Sequence, residues 1–453
     1  MADIARKPVP APLRDDQASA VLHSVLLQLD ASQWWTSIQL EQGMLQQLQQ
    51  LLLHAQTHSP FYRQRLRDIN VANFTRKALT DIPLLTRTDL QQANQTIDTE
   101  YLPPNHGSPQ ETMTSGSTGT PVRIRGTGVT ALMWNALNLR EHFWHQRDTR
   151  QVACSIRWRS DAIGLSQGGV ALPDWGTPIN QFFHTAPSYY LNSAVDIAQQ
   201  LQWLQQRQPV YLLSHPSNVA ALARSFRRAG DSLPALREIR TLSESVSQEL
   251  RALVQEVFGT SITDCYSSQE LGYIALQCPQ FSHYHVQSES VLVEVLRADG
   301  SQCAPFEPGR LVITSLRNYA TPLIRYELGD YGALGDECPC GRGLPVLHTV
   351  KGRVRNMLRL PDGTQRWPNF GFRKMMEIVD LRQFQIVQTH LDRVELKLVV
   401  DAAPLAVAQE LRLKQVLQEN LGYPLQIAIS YHAMLPRSSS GKFEDFVSLI
   451  SAD

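Results

Sequence analysis

The sequence predicts an α/β protein with a large N-terminal region of helix-covered sheets and a small C-terminal α+β domain. Three observations predict it. From about 110 to 350, short apolar runs such as "PVYLLS", "VLVEVLR" and "RLVITSL" alternate with helical patterns such as "SNVAALARSFRRAG". Alternation of this kind builds a sheet covered by helices. After about 352 the pattern changes: "FQIVQT" and "RVELKLVV" read as strands, "PLAVAQELRLKQVLQENLG" as a helix stopped by Gly422, and "LQIAISY" as a further strand. A β-β-α-β unit can bury one sheet face under one helix and stand as a separate domain. Finally, a chain of 453 residues, 43% of them apolar, is long enough for one large or two to three ordinary domains with sizeable cores.

In chain order, residues 1–30 carry Pro8, Pro10 and Pro12 and read as a loose leader. Residues 31–352 read as the large domain and 353–453 as the small one, mobile relative to it. In "QGMLQQLQQLLLHAQTHSPFYRQRL" one helical face collects Met44, Leu45, Leu48, Leu51, Leu52 and Ala55, and Ser59-Pro60 ends the helix.

Lysine plus arginine equals aspartate plus glutamate, at 42 each. That balance gives no reason to expect nucleic acid or an anionic membrane as a bulk partner. No apolar run is long enough to span a bilayer, and "MADIARKPVPAPLRDD" lacks the apolar core of a signal peptide. With six cysteines and no export signal, reduced thiols and a cytoplasmic location are expected.

"TMTSGSTGTPVRIRG", from Thr112 to Gly126, packs two glycines and six hydroxyl residues into Thr112–Thr120. Glycines let successive N–H groups point at one anion, and hydroxyls add donors without bulk. No lysine follows Gly119 and Pro121 blocks an immediate helix interior, so this is not a Walker loop. On composition alone it is a phosphate cradle or a polar turn between strands. Near the other end, "LPRSSSGKFEDF" places Lys442 on a pliant turn, where it could reach a phosphate or stand as a solvated charge.

Together these two loops resemble the signature loops of the adenylate-forming (ANL) superfamily, most closely its phenylacetate–CoA ligase-like branch. "LLLHAQTHSPFYRQRL" resembles the N-terminal helix of that branch, and "LREIRTLSESVSQELRALVQEVFGTSITDCYSSQELG" its adenine-pocket segment. "GRLVITSLRNYATPLIRYELGDYG" resembles the strand pair ending in the ribose aspartate, and "VKGRVRNMLRLPDG" the interdomain hinge. The matches run in order from about 45 to 445. The resemblance implies a ligase that joins a carboxylic acid to AMP, releases pyrophosphate, and passes the acyl group to a thiol of CoA or a carrier protein. Transfer to an amine, or a nucleotide-binding relative without turnover, are the alternatives. A second copy of the chain is an admissible partner.

The same resemblance assigns roles. Ser115, Gly116, Ser117, Thr118, Gly119 and Thr120 would wrap the ATP phosphates, and Tyr266 would lie on the adenine. Ser243 and Glu244 fall in the adenine pocket, Asp330 would accept from the ribose hydroxyls, and Arg353 would reach the ribose or phosphate side. Glu270 would ligate Mg²⁺, a hard cation that takes oxygen ligands. Lys442 would bridge the attacking carboxylate and the α-phosphate. A structural salt bridge is the plain reading of each lone acid, with Arg325 or Arg353 as partner for Asp330.

The chain departs from the branch at three places. Gln269 replaces a small hydroxyl residue before Glu270, and Ser243 replaces a glycine before Glu244. The hinge reads Gly352-Arg353-Val354-Arg355-Asn356, without the usual paired aspartates, which leaves the acyl acceptor open.

Cys338 and Cys340, inside "ECPCGRG", read as half a zinc site. Cys278 with His283 or His285 in "LQCPQFSHYHV" would complete a closed structural tetrahedron. Members of the branch commonly carry a histidine at the position of His285, which favours it, with His283 as the alternative. Otherwise Cys278 is core and His285 borders the acyl pocket. The acid pocket is expected between the phosphate loop and Tyr266. There Trp134, Trp158, Trp175, Phe182, Phe183, Tyr189 and Tyr190 would suit an aryl acid, or simply fill the core, and His215 borders the same span.

Overall fold

The computed structural model describes residues 8–113, 121–159, 163–165, 168–353, 357–368, 370–401, 404–436 and 443–450. They group into two compact units, drawn from 1–151, 172–188 and 264–350, and from 152–171, 189–263 and 351–453. The pattern change read at 352 falls within two residues of the break at 350/351. Segments 152–171 and 189–263, read as part of the large domain, instead group with the C-terminal residues.

The first unit begins with a helix. Residues 17–30, read as loose leader, lie in the helix Gln17–Ser32. Asp16 caps it by accepting from the Ser19 N–H at 2.7 Å. Leu22, Leu26 and Leu29 recur at helical spacing and are buried with Met133, Ala136 and Leu137 of the helix Gly128–Trp144. Truncating one of these leucines to alanine would cost about 2–5 kcal/mol. The prolines occupy only the stretch before this helix.

The helix Ser37–His58 starts at a capping box between Thr36 and Gln39 and buries Leu48, Leu51, Leu52 and Ala55 on the expected face. Ser59 ends it and caps the short helix Pro60–Arg65, with proline in the first turn. The buried Tyr62 hydroxyl donates to the Pro322 carbonyl at 2.8 Å and accepts from the Ile324 N–H at 3.2 Å. That pair of bonds ties the helical phrase to the segment leading into the strand Tyr326–Leu334.

The sheet of this unit runs in the order Val291–Leu296, Gly309–Ser315, Tyr326–Leu334, Val346–Arg353, Tyr284–Val286, Gly272–Gln277, Ser261–Ser268. Arg325, immediately before the third of these strands, is buried and forms a bidentate pair with Glu294 at 3.0 Å for both contacts. It also donates to the Ile82 carbonyl at 2.6 Å. Its partner is therefore Glu294, which removes it as the structural partner considered for Asp330.

In the second unit, the strands Glu238–Thr241, Tyr211–Ser214 and Ala153–Arg157 pair in parallel. The helices Ile197–Arg207, Pro216–Ala229 and Gln248–Phe258 complete that core, which holds Leu204, Leu222, Phe226 and Val254. The C-terminal part forms its own sheet in the order Gln426–Tyr431, Arg393–Val399, Gln383–His390, Phe446–Ser448. The helix Val407–Leu421 presents Leu413, Val416, Leu417 and Leu421 to it, and Gly422 ends that helix with φ +65°. The β-β-α-β reading thus acquires a fourth strand, only three residues long. Among the described residues no helix is long and apolar enough to cross a membrane.

Candidate active site

Strands Gln110–Met113 and Arg123–Gly126 form an antiparallel hairpin with Met113 opposite Arg123. The loop residues Ser115, Gly116, Ser117, Thr118, Gly119 and Thr120 lie outside the described residues, but the base of their hairpin is fixed. Asp98 holds Arg123 and Arg125 together and accepts from the Thr321 hydroxyl. Thr321 in turn accepts from the Arg125 N–H at 3.0 Å. Two cations on one buried carboxylate hold the loop ends to the segment before Tyr326.

The strand Ser261–Ser268 carries Tyr266, and the turn after it carries Glu270. Gly272 takes φ +80°, a left-handed conformation that favours glycine, and lets the returning strand pass under Trp134. The Tyr266 hydroxyl donates to Asp330 Oδ2 at 2.8 Å. The two residues are 64 positions apart, so the structure brings together the predicted adenine and ribose groups. Glu270 is nearly buried, and Arg87 Nη1 stands 3.8 Å from its Oε1.

Glu270 also lines a cavity of about 230 Å³ in the same unit. Met133, Trp134 and Leu137 supply an apolar wall, and Gln269, Ser290, Ser315 and Arg317 supply polar groups. Trp134 is the one member of the expected aromatic set on this wall among the described residues. Phe182 is core, and Trp175 and Phe183 pack against that core. Ser315 and Arg317 in "ITSLRNY" and Ser290 in "SESVLVEV" were not singled out by the sequence, because nothing in either stretch marks them as cavity residues.

Ser243 has φ +71°, unusual for a residue with a side chain, at the position where a glycine was expected. Glu244 accepts from the Ser217 N–H at 2.8 Å and the Ser217 hydroxyl at 3.1 Å, in the first turn of Pro216–Ala229. A carboxylate is favoured there by the helix dipole. Its Oε1 also accepts from the Phe443 N–H at 3.0 Å. Glu244 therefore holds the residue adjacent to Lys442, a contact across 199 positions that sequence reasoning missed. Lys442 lies outside the described residues, and Arg353 is described only as the end of the strand Val346–Arg353. His215 is buried at the start of Pro216–Ala229 and is not among the residues that line the cavity.

A second cluster lies in the first unit. The ligand atoms of Cys278, His283, His285 and Cys338 fall within 4.8 Å of one another. His283 Nε2 is 3.0 Å from Cys338 Sγ, and Cys278 Sγ is 3.9 Å from it. Cys340 Sγ lies 3.4 Å from His285 Nε2. Both candidate histidines therefore converge, each against a different cysteine. The His285 Nδ1 faces the Leu344 carbonyl at 3.4 Å. A shared hydrogen bond pushes the Cys278 thiol up, burial adding to it. The same bond holds Cys340 well below its ordinary value, with His285 and Arg342 adding to the effect. Arg342 stacks over Trp34 and Trp144, at 4.9 and 4.5 Å, and donates to Gln33 at 3.0 Å. The cluster loop is thereby joined to the N-terminal helices.

No family model matches the chain. It is 27% identical over 279 residues to the phenylacetate–coenzyme A ligase of Thermus thermophilus, covering 55% of this chain and 62% of that protein. The alignment thus spans less than two-thirds of that relative. It is 23% identical over 425 residues to the phenylacetate–coenzyme A ligase of Escherichia coli, covering 87% and 91% of the two chains. The crystal structure of a 2-hydroxyisobutyryl-CoA ligase in the postadenylation state matches with a TM-score of 0.71 at 18% identity, over 92% and 91% of the chains. The fold is that of the adenylate-forming enzymes. In sequence, the curated relatives it resembles are both phenylacetate–coenzyme A ligases.

Proposed function

We propose that the protein activates a carboxylic acid with ATP and passes the acyl group to the thiol of CoA. The carboxylate oxygen attacks the α-phosphorus, the bond to pyrophosphate breaks, and acyl-adenylate forms. The thiol sulfur then attacks the acyl carbon, AMP leaves with the bridging oxygen, and the thiol proton passes to solvent. The observation that carries this reading is the bond between Tyr266 and Asp330, in a unit where Glu270 lines a cavity walled by Trp134.

The residue roles follow the superfamily. Ser115–Thr120 would hold the phosphates, Tyr266, Ser243 and Glu244 the adenine side, Asp330 the ribose, and Arg353 the ribose or phosphate side. Glu270 would hold Mg²⁺, which neutralises phosphate charge. Lys442 would stabilise the charge that builds between carboxylate and α-phosphate. The Trp134 wall supports an aryl acid.

Zinc would occupy the Cys278, His283, His285 and Cys338 cluster, with Cys340 beside it. Donors on a zinc tetrahedron are about 3.3–3.8 Å apart, given Zn–N and Zn–S bonds of about 2.0–2.3 Å. The 3.0 and 3.9 Å separations around Cys338 lie just outside that range on either side, so a bound ion would draw the four donors into a closed site with small side-chain shifts. ATP, CoA and reduced thiols all suit the cytoplasm.

Acid-dependent ATP–pyrophosphate exchange over aryl, heteroaryl and fatty acids tests the first half-reaction. Lys442→Ala should slow it by roughly 10²–10³-fold. Exchange at the parental rate in that variant, or no exchange with any acid, would sink the proposal. Product analysis with CoA, a carrier protein and amines identifies the acceptor.

A further inference from the structure

We propose that Arg317 makes the cavity select acids with a second anionic group, that is, dicarboxylic acids on an apolar frame about one ring in size. This rests on the adenylation reading for what happens to the first carboxylate. The selection itself follows from how the cavity is built.

The cavity has two kinds of wall. Met133, Trp134 and Leu137 face it on the apolar side, and Ser290, Ser315 and Arg317 on the polar side. A cavity of about 150 Å³ already holds benzene. At about 230 Å³ this one has room for a ring and a further small group.

Arg317 is half-buried, two residues beyond the end of the strand Gly309–Ser315. Its Nε donates to the Glu289 main-chain carbonyl at 2.9 Å. That is its one side-chain hydrogen bond among the described residues, and no described carboxylate stands within ion-pair distance of it. The pinned Nε leaves the two Nη groups as a fork that matches a carboxylate. The neighbouring acid is already engaged. Glu289 Oε1 accepts from Arg140 Nη2 at 2.7 Å and from the Ser32 hydroxyl at 2.6 Å, and Oε2 takes Arg140 Nη1 at 3.2 Å.

Two guanidinium groups therefore share one carboxylate as their nearby anion. Burial pulls the Arg317 guanidinium below its ordinary value, with Glu289 opposing, yet an arginine stays ionised. An unmatched cation beside an apolar wall is costly, and a ligand anion relieves that cost. The apolar wall of Met133, Trp134 and Leu137 suits the frame of an organic acid rather than a phosphate chain.

The probes are isophthalate and terephthalate against benzoate. Binding is measured by calorimetry with and without a non-hydrolysable ATP analogue, and pyrophosphate exchange is measured with each acid. The wild type should prefer a dicarboxylate by about 10²-fold, as expected for truncating one partner of a desolvated charge pair. Arg317→Gln should level that preference, and Arg317→Lys should keep part of it. Benzoate binding as tightly as both dicarboxylates to the wild type overturns the proposal without any variant. So does an Arg317→Gln protein that keeps the preference. A rise in the KM for ATP with equal losses for all acids would assign Arg317 to the phosphates and overturn it too. Dicarboxylate binding through Arg317 with no exchange upholds the anion site and refutes adenylation instead.

Discussion

Asp330 offers a direct check of the proposed nucleotide site. Its carboxylate already accepts from the Tyr266 hydroxyl at 2.8 Å, which fixes its orientation from a neighbouring strand pair. If it also accepts from the ribose hydroxyls, each such bond is charge-assisted and contributes about 1.5–3 kcal/mol. That corresponds to about 10- to 150-fold in kcat/KM. The wild type should therefore use ATP better than 2′-deoxyATP by about that factor in pyrophosphate exchange. In Asp330→Ala the ratio should collapse towards one, because the lost hydroxyl no longer has a partner. Tyr266→Phe removes only the orienting donor and should cost about tenfold for both nucleotides while preserving most of the ratio. The comparison of ratios cancels general damage to the fold. An Asp330→Ala enzyme that still discriminates the two nucleotides as the wild type does would refute the assignment of the ribose to this carboxylate.

Further expectations can be measured independently. Arg325→Met leaves the buried Glu294 carboxylate without its bidentate partner; urea unfolding should show a loss of about 3–5 kcal/mol, and adding Glu294→Gln should recover part of it. Cys338→Ser should abolish bound zinc by elemental analysis, whereas Cys154→Ala, buried in the core of the second unit, should retain it. His54 is pulled down to about 4, first by burial and then by the charge of His58. Its unfolded value is about 6.5, so the stability it contributes is present above that pH and is lost as pH falls towards 4, by at most about 3 kcal/mol. A denaturation series from pH 7 to 4 on wild type and His54→Leu should show a flatter profile for the variant. Glu244→Ala should lower kcat for exchange more than it raises the KM for ATP, because its carboxylate holds the Phe443 N–H beside Lys442; a pure KM effect would favour its reading as an adenine contact.

Much of the architecture was legible because it is local. The helix over Met44–Ala55 shows its buried face in period, and Gly422 marks the end of the helix Val407–Leu421. The pairing of Tyr266 with Asp330 was reachable only through the resemblance, since 64 residues separate them. The features that stayed hidden lack a local signal. The helix Gln17–Ser32 follows a proline-rich start and intersperses polar residues along its length, so its three buried leucines at helical spacing do not stand out. The strand Phe446–Ser448 is too short to show alternation. Arg317 looks like any arginine between strands until Glu289 is seen to be held by Arg140.

Glu244 shows why the two signature loops should be considered together with their supports. The phosphate loop is braced at its base by Asp98, which gathers Arg123, Arg125 and Thr321. The lysine loop is braced by Glu244, which gathers Ser217 and Phe443. In each case one carboxylate joins chain segments that are distant in sequence, and in each case its partners are spent on structure before any nucleotide arrives. Each carboxylate thus fixes a residue next to a segment proposed to handle phosphate, and fixed neighbours are the condition for placing a charge within hydrogen-bond reach of a developing transition state.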